Sequence, residues 1–134
     1  MLNVSTHNIG RLINLAREFH AQEEVSFPEE AANPSGDWGA QILASHSDDA
    51  SFQEFKSIID DLEPDQQQEI VALLWLGRGD FGEDEWESVL ELAEDSWTLR
   101  TAEYLIAHPH LADYLTEGLD TLGYDAESLE DQAR

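Results

Sequence analysis

Apolar positions along the chain recur at intervals of three and four, the spacing that gathers side chains onto one face of an α-helix. Ile9, Leu12, Ile13, Ala16 and Phe19 form the first such stripe. Ser5 or Thr6 stands where a helix N-cap belongs, and the pattern lapses near His20 or Gln22. A helix is therefore predicted within residues 1–22. Residues 23–37 hold acidic pairs, Pro28 and Pro34-Ser35-Gly36, and are predicted as loop. Trp38, Ile42 and Leu43 suggest a short helix. Phe52, Phe55, Ile58, Ile59 and Leu62 mark another, capped by Ser47, Asp48 or Asp49.

The most apolar window follows. Pro64 suits a first helical turn, Asp65 complements the positive end of the helix dipole, and Ile70 to Leu76 is unbroken by any polar residue. This helix is predicted to stop at Gly77 in a left-handed C-terminal cap. Beyond it, Trp86, Val89, Leu90 and Ala93 share one face, with Asp84, Glu87, Glu91 and Asp95 on another. Leu99, Ala102, Leu105 and Ile106 form the predicted buried set of a helix at about residues 97–107. Pro109 restarts the chain in a helix bearing Leu111, Tyr114, Leu115, Leu119 and Leu122, ended by Gly123. Residues 124–134 are expected to form a frayed acidic tail. No alternating strand pattern interrupts this series. The expected architecture is all-α, a single compact domain over residues 1–134 with about five to seven short helices around a central one at residues 64–77, and residues 48–123 as its helical core.

Composition adds a strong charge to this picture. The chain of 134 residues carries 30 Asp and Glu against six Lys and Arg, a formal charge of −24. Its first 20 residues hold Arg11 and Arg17 against Glu18, so the acidity belongs to everything after the first helix. A field of that sign opposes direct nucleic-acid binding and anionic membranes and favours basic partners. Hydrophobic content of 41%, with four Trp and five Phe, separates the chain from acidic sequences that stay unfolded for want of apolar surface. Acidity with Lys56 as the lone lysine is also the mark of adaptation to salt, which predicts that moderate salt raises the melting temperature by screening self-repulsion. The absence of cysteine removes disulfides and thiolate chemistry. The first residues have neither a basic n-region nor a continuous apolar stretch, and a seven-residue apolar run is far below the roughly 20 that a membrane helix needs. A cytoplasmic location is expected.

Candidate chemistry is sparse. Gly77-Arg78-Gly79-Asp80-Phe81-Gly82 satisfies G-x-G-x-x-G, but a helix precedes it, no second strand is available, and Glu83, Asp84 and Glu85 would repel a phosphate. In a calcium-loop register, Gly79, Phe81 and Glu85 fit, yet the first ligand positions fall on Leu74, Leu76 and Arg78. Di-iron bundles place Glu three residues before His; here those residues are Val4, Arg17, Leu43, Leu105 and Ala107. No G-x-S-x-G elbow is present. No cofactor, metal site or catalytic residue is therefore assigned, and the reading leans away from an enzyme. Arg78 and Asp80 in the glycine-flanked turn, with Trp86 beyond it, are the candidate binding residues. The structural alternative is that Arg78 bridges Asp80 or a neighbouring helix and that Trp86 is core.

Leu73-Leu74-Trp75-Leu76-Gly77-Arg78-Gly79-Asp80, followed by Trp86, Tyr104-Leu105, Pro109 and Tyr114-Leu115-Thr116-Glu117-Gly118-Leu119, resembles an uncharacterised, mainly proteobacterial family, the domain of unknown function DUF 3775. The resemblance spans about residues 62–123. It implies a small bacterial helical domain and brings no activity, substrate or catalytic residues. The expected function is a non-enzymatic protein–protein interaction module, with a basic partner favoured by charge or self-association as the mode. The alternatives are an acidic mimic of nucleic acid that occupies a basic protein, and an enzyme of unrecognised type.

Overall fold

The structure is a computed structural model that describes residues 2–22 and 50–132. The expected loop at residues 23–37, the short helix around Trp38, and the Ser47, Asp48 and Asp49 caps lie outside the described residues. Among those described, the fold is all-α with seven helices and no strand: α1 (Thr6–Gln22), α2 (Ala50–Asp61), α3 (Pro64–Gly77), α4 (Trp86–Ser96), α5 (Thr101–Ile106), α6 (Leu111–Thr121) and α7 (Ala126–Gln132). A 3₁₀ turn, Glu83–Glu85, leads into α4. No described helix is long and apolar enough to cross a membrane.

The central position of α3 follows from its sequence. Ile70 to Leu76 carries no polar side chain, so the helix is stable only where neighbours cover every face, and all seven residues are buried. Helices α6 and α4 pack against it, and α5 touches it. On the other side of α6 lies α1, which also packs on α2 and α7. The predicted stripe of α1 (Ile9, Leu12, Ile13, Ala16, Phe19) has no exposed surface. Each such side chain contributes about 1.5–3 kcal/mol of burial, Ala16 less.

Glycines set the closest approach. A Cβ on Gly77 would lie 1.8 Å from the backbone oxygen of Tyr114 on α6, and one on Gly118 would lie 2.5 Å from that of Leu73 on α3. The two helices thus notch into each other, antiparallel, each offering a glycine to the other's backbone. This revises the role expected for Gly77. The left-handed residue is Gly79, with φ +87°, and the helix ends in a Schellman motif: Gly79 N–H donates to the Leu76 carbonyl at 3.1 Å and Asp80 N–H to that of Trp75 at 3.4 Å. Gly123, at φ +95°, closes α6 the same way, as expected.

Two further expectations are corrected. Leu99 is 83% exposed in the turn before α5, which starts at Thr101 and is too short to bring it to the core. The stretch expected as a frayed tail forms α7, whose Ala126 is fully buried and which packs on α1. Asp125 caps α7 by accepting from Ser128 N–H at 3.2 Å.

Polar side chains of α3 fix its surroundings. The Glu69 carboxylate, 4% exposed, accepts from Asn3 N–H (2.8 and 2.9 Å) and Val4 N–H (2.8 Å), tying residues that precede α1 to the central helix. Gln67 donates to the carbonyls of Ile59 (2.8 Å) and Leu62 (3.3 Å) and accepts from Trp97 Nε1–H at 2.6 Å. It thereby satisfies the end of α2 and pins the linker after α4.

Candidate functional site

The Schellman turn throws Arg78 and Asp80 to the same side. Arg78 donates to Asp80 Oδ2 through Nε (3.1 Å) and Nη2 (2.7 Å), so the guanidinium closes the turn on itself. Its Nη1 faces Nε2 of His108 at 3.4 Å. His108 is fully buried, and Nδ1–H donates to the Tyr104 carbonyl at 2.9 Å, which leaves Nε2 as the acceptor toward Arg78. The Tyr104 ring stands edge-on to His108 with centroids 4.9 Å apart, and its hydroxyl accepts from Trp75 Nε1–H at 2.8 Å. Trp75, Tyr104, His108, Arg78 and Asp80 form one connected network from core to surface.

Burial sets the protonation of this network. Desolvation lowers the His108 pKa to about 4, with the Arg78 charge acting in the same direction, so the imidazole is neutral at pH 7. Desolvation likewise raises the Tyr104 pKa, opposed by the Trp75 hydrogen bond and the Arg78 charge. The network therefore holds one net ion pair, Arg78–Asp80, over neutral donors and acceptors.

Above it opens a cleft of about 400 Å³, lined by Trp75, Arg78, Asp80, Phe81, Leu92 and Ser96. Leu92 comes from α4 and is 44% exposed. Arg78 and Asp80 are thus brought together at a cleft, whereas Trp86 is not among its lining residues and sits half-buried against the core at the start of α4. Helix α4 separates this cleft from a second groove of about 300 Å³, to which it contributes Glu87, Leu90, Glu91 and Glu94, and α3 and the N-terminal segment contribute Asp65, Gln68, Glu69 and Asn3. Val89 and Ala93 hold α4 to the core between the two. All seven acids from Glu83 to Asp95 are exposed, and none is in an ion pair with a described residue.

A third opening, about 350 Å³, lies between the end of α1 and the start of α6, lined by Arg17, His20, His110 and Asp113 among others. Desolvation lowers the His20 pKa, and its Nε2 is hydrogen-bonded to the Ile106 carbonyl at 2.9 Å. Among the described residues no three His, Asp or Glu side chains converge as a metal would require. The parts that sequence reasoning missed are His108 and Tyr104, at i and i+4 on either side of the end of α5, and the exposure of Leu92. Nothing local marked them, because each takes its role from a neighbour distant in sequence.

The model of a family described as protein of unknown function, DUF3775, matches residues 52–124. Those limits take in α2 to α6, the turn with its network, the cleft and most of the acidic groove. No match was found among the curated proteins or the solved structures.

Proposed function

This chain belongs to DUF3775, a family of proteins of unknown function, and from that premise we propose that it is a non-enzymatic interaction module that docks a basic protein segment along α4. The observation that carries the reading is the groove between α3 and α4, where Asp65, Glu87, Glu91 and Glu94 line one opening beside the buried Glu69, and no cation stands among the described lining residues. Trp86, Val89 and Ala93 seat α4 on the core, so the carboxylates are presented from a fixed helix. Arg78 and Asp80 hold the adjoining turn. A chain of net charge −24 also attracts a basic partner from a distance before contact is made.

Fluorescence anisotropy with a labelled lysine- and arginine-rich peptide tests this. Neutralising Glu87, Glu91 and Glu94 to Gln removes three exposed charge pairs, each contributing about 0.5 kcal/mol, so affinity falls about tenfold. A charge-matched control, Asp61→Asn with Glu117→Gln and Glu127→Gln, changes exposed acids that do not line the groove. Equal losses in both variants would reduce the binding to net charge and remove the groove from the reading. The exposed acidic row of α4 also supports the acidic-mimic alternative, which predicts competition with duplex DNA for a DNA-binding protein and fails without it.

A further inference from the structure

We propose that the cleft between the residue 77–82 turn and α4 is the anchor pocket of this docking surface, and that it receives one bulky apolar side chain, aromatic or leucine-like, of the basic segment. The inference rests on the reading of the acidic groove and specifies the partner's second feature. Leu92 and Ser96 look into the cleft from one flank of α4, while Glu87, Glu91 and Glu94 look into the groove from the other. A segment lying on α4 in contact with the carboxylates is therefore within one side chain's reach of the cleft.

The chemistry of the cleft selects the occupant. Its apolar walls are Trp75, Phe81 and Leu92, and its ion pair is internally matched, because Asp80 takes two hydrogen bonds from Arg78. Among the described lining residues no unbalanced charge is left to attract a charged head group. Leu92 and Leu99 are the large apolar side chains left exposed among the described residues, the first in the second half of α4 and the other beyond its end. Covering Leu92 adds the burial of an exposed leucine to the carboxylate contacts of the groove. At about 400 Å³ the cleft is near the lower end of the roughly 300–1,000 Å³ typical of ligand sites, room for one large side chain. The floor is rigid, since Trp75 and Arg78 are tied through Tyr104 and His108. Anchors in such pre-formed pockets carry much of the affinity of an interface. Charge complementarity fixes the rest of the segment as basic: seven exposed acids run from Glu83 to Asp95, three in the 3₁₀ turn and four on α4 itself.

The test uses two series of labelled helical peptides with the same lysine- and arginine-rich face, one carrying Trp, Phe or Leu at a central apolar position and the other Ala. Each is titrated against the full chain and against Leu92→Ser, which removes apolar surface at a 44%-exposed site without altering charge. The expected result is a preference for the anchored series of about tenfold in the full chain, falling to near unity in Leu92→Ser, with matching melting curves for the two proteins. Equal binding of both series to the full chain overturns the anchor and leaves the acidic groove standing. Failure of both series to bind overturns the two together. A preference that survives Leu92→Ser places the anchor elsewhere and also overturns the assignment.

Discussion

Replacing Gly77 by alanine separates two readings of that residue by the sign of the effect. A glycine at a helix end with no tertiary role gains stability on conversion to alanine, up to about 1 kcal/mol, because the unfolded chain loses freedom. In the notch, the new Cβ would sit 1.8 Å from the Tyr114 oxygen, 2.6 Å from its carbonyl carbon and 2.9 Å from its Cα. All three atoms are backbone, so no rotamer change relieves the clash, and α3 and α6 must separate by more than an ångström. Overpacking of this kind costs about 1–3 kcal/mol, and a backbone obstacle puts Gly77→Ala at the top of that range. Less the alanine gain, the expected loss is about 2 kcal/mol, or roughly 6–10 °C in Tm for a domain of this size. Urea unfolding followed by helical circular dichroism measures it, with an unchanged m-value showing that the denatured state is unaltered. Gly118→Ala acts on the same contact, so the double variant loses less than the sum of the singles, one separation relieving both clashes. A Gly77→Ala protein as stable as the parent would mean that the helices do not meet as described.

The buried His108 predicts a pH dependence. Its folded pKa of about 4 lies below the unfolded 6.5, so the unfolded state binds the extra proton between those values and stability falls as pH drops through that window, by about 3 kcal/mol in total. The stability difference between the parent and His108→Gln should shrink by that amount from pH 7 to pH 4, and a constant difference in urea titrations would refute it. Glu103 is 5% exposed and its Oε1 has no hydrogen-bond partner among the described residues, so Glu103→Met is expected to raise stability by about 1–2 kcal/mol, read as a higher urea midpoint. Gln67→Ala strips the carbonyls of Ile59 and Leu62 and the indole N–H of Trp97 of their partner, a loss of about 2–3 kcal/mol, with Trp97→Phe costing about 1 kcal/mol in the same thermal melts.

Most helices were legible because their burial is periodic: the stripes of α1 and α2 and the all-apolar second half of α3 needed no knowledge of their partners. Failures came where a residue's role depends on another element. Gly77 and Gly79 both look like helix stops in sequence. What distinguishes them is the Tyr114 backbone 37 positions away, which occupies the space beside Gly77 and leaves Gly79 to take the positive φ. Leu99 has the hydrophobicity and spacing of a core residue, whereas the turn before α5 points it outward. Helix α7 escaped notice because Ala126 and Leu129 are too few to make a stripe, and its docking on α1 is what orders it. At the candidate site, the Arg78–Asp80 pairing was readable from adjacency. The cleft was not, since Leu92 reaches it from the next helix, and the acidic groove was half-readable, its α4 carboxylates being periodic while Asp65 and Glu69 arrive from α3.

The clamp of Glu69 on the backbone of Asn3 and Val4 bears on modularity. Helix α1 lies wholly outside the residues that define the family match, yet it fills a trough formed by α2, α6 and α7 and is fastened at its leading end by a side chain of the central helix. Residues 50–132, the matched region with α7 added, thus form a receptor for a helix that this chain supplies to itself. Residues 50–132 prepared alone would bare the surfaces that Ile9, Leu12, Ile13 and Phe19 now cover, and a separate peptide of residues 2–22 should restore the fold by binding in trans. Reconstitution from two fragments would show the first helix to be a separable part that completes the fold from outside the family match.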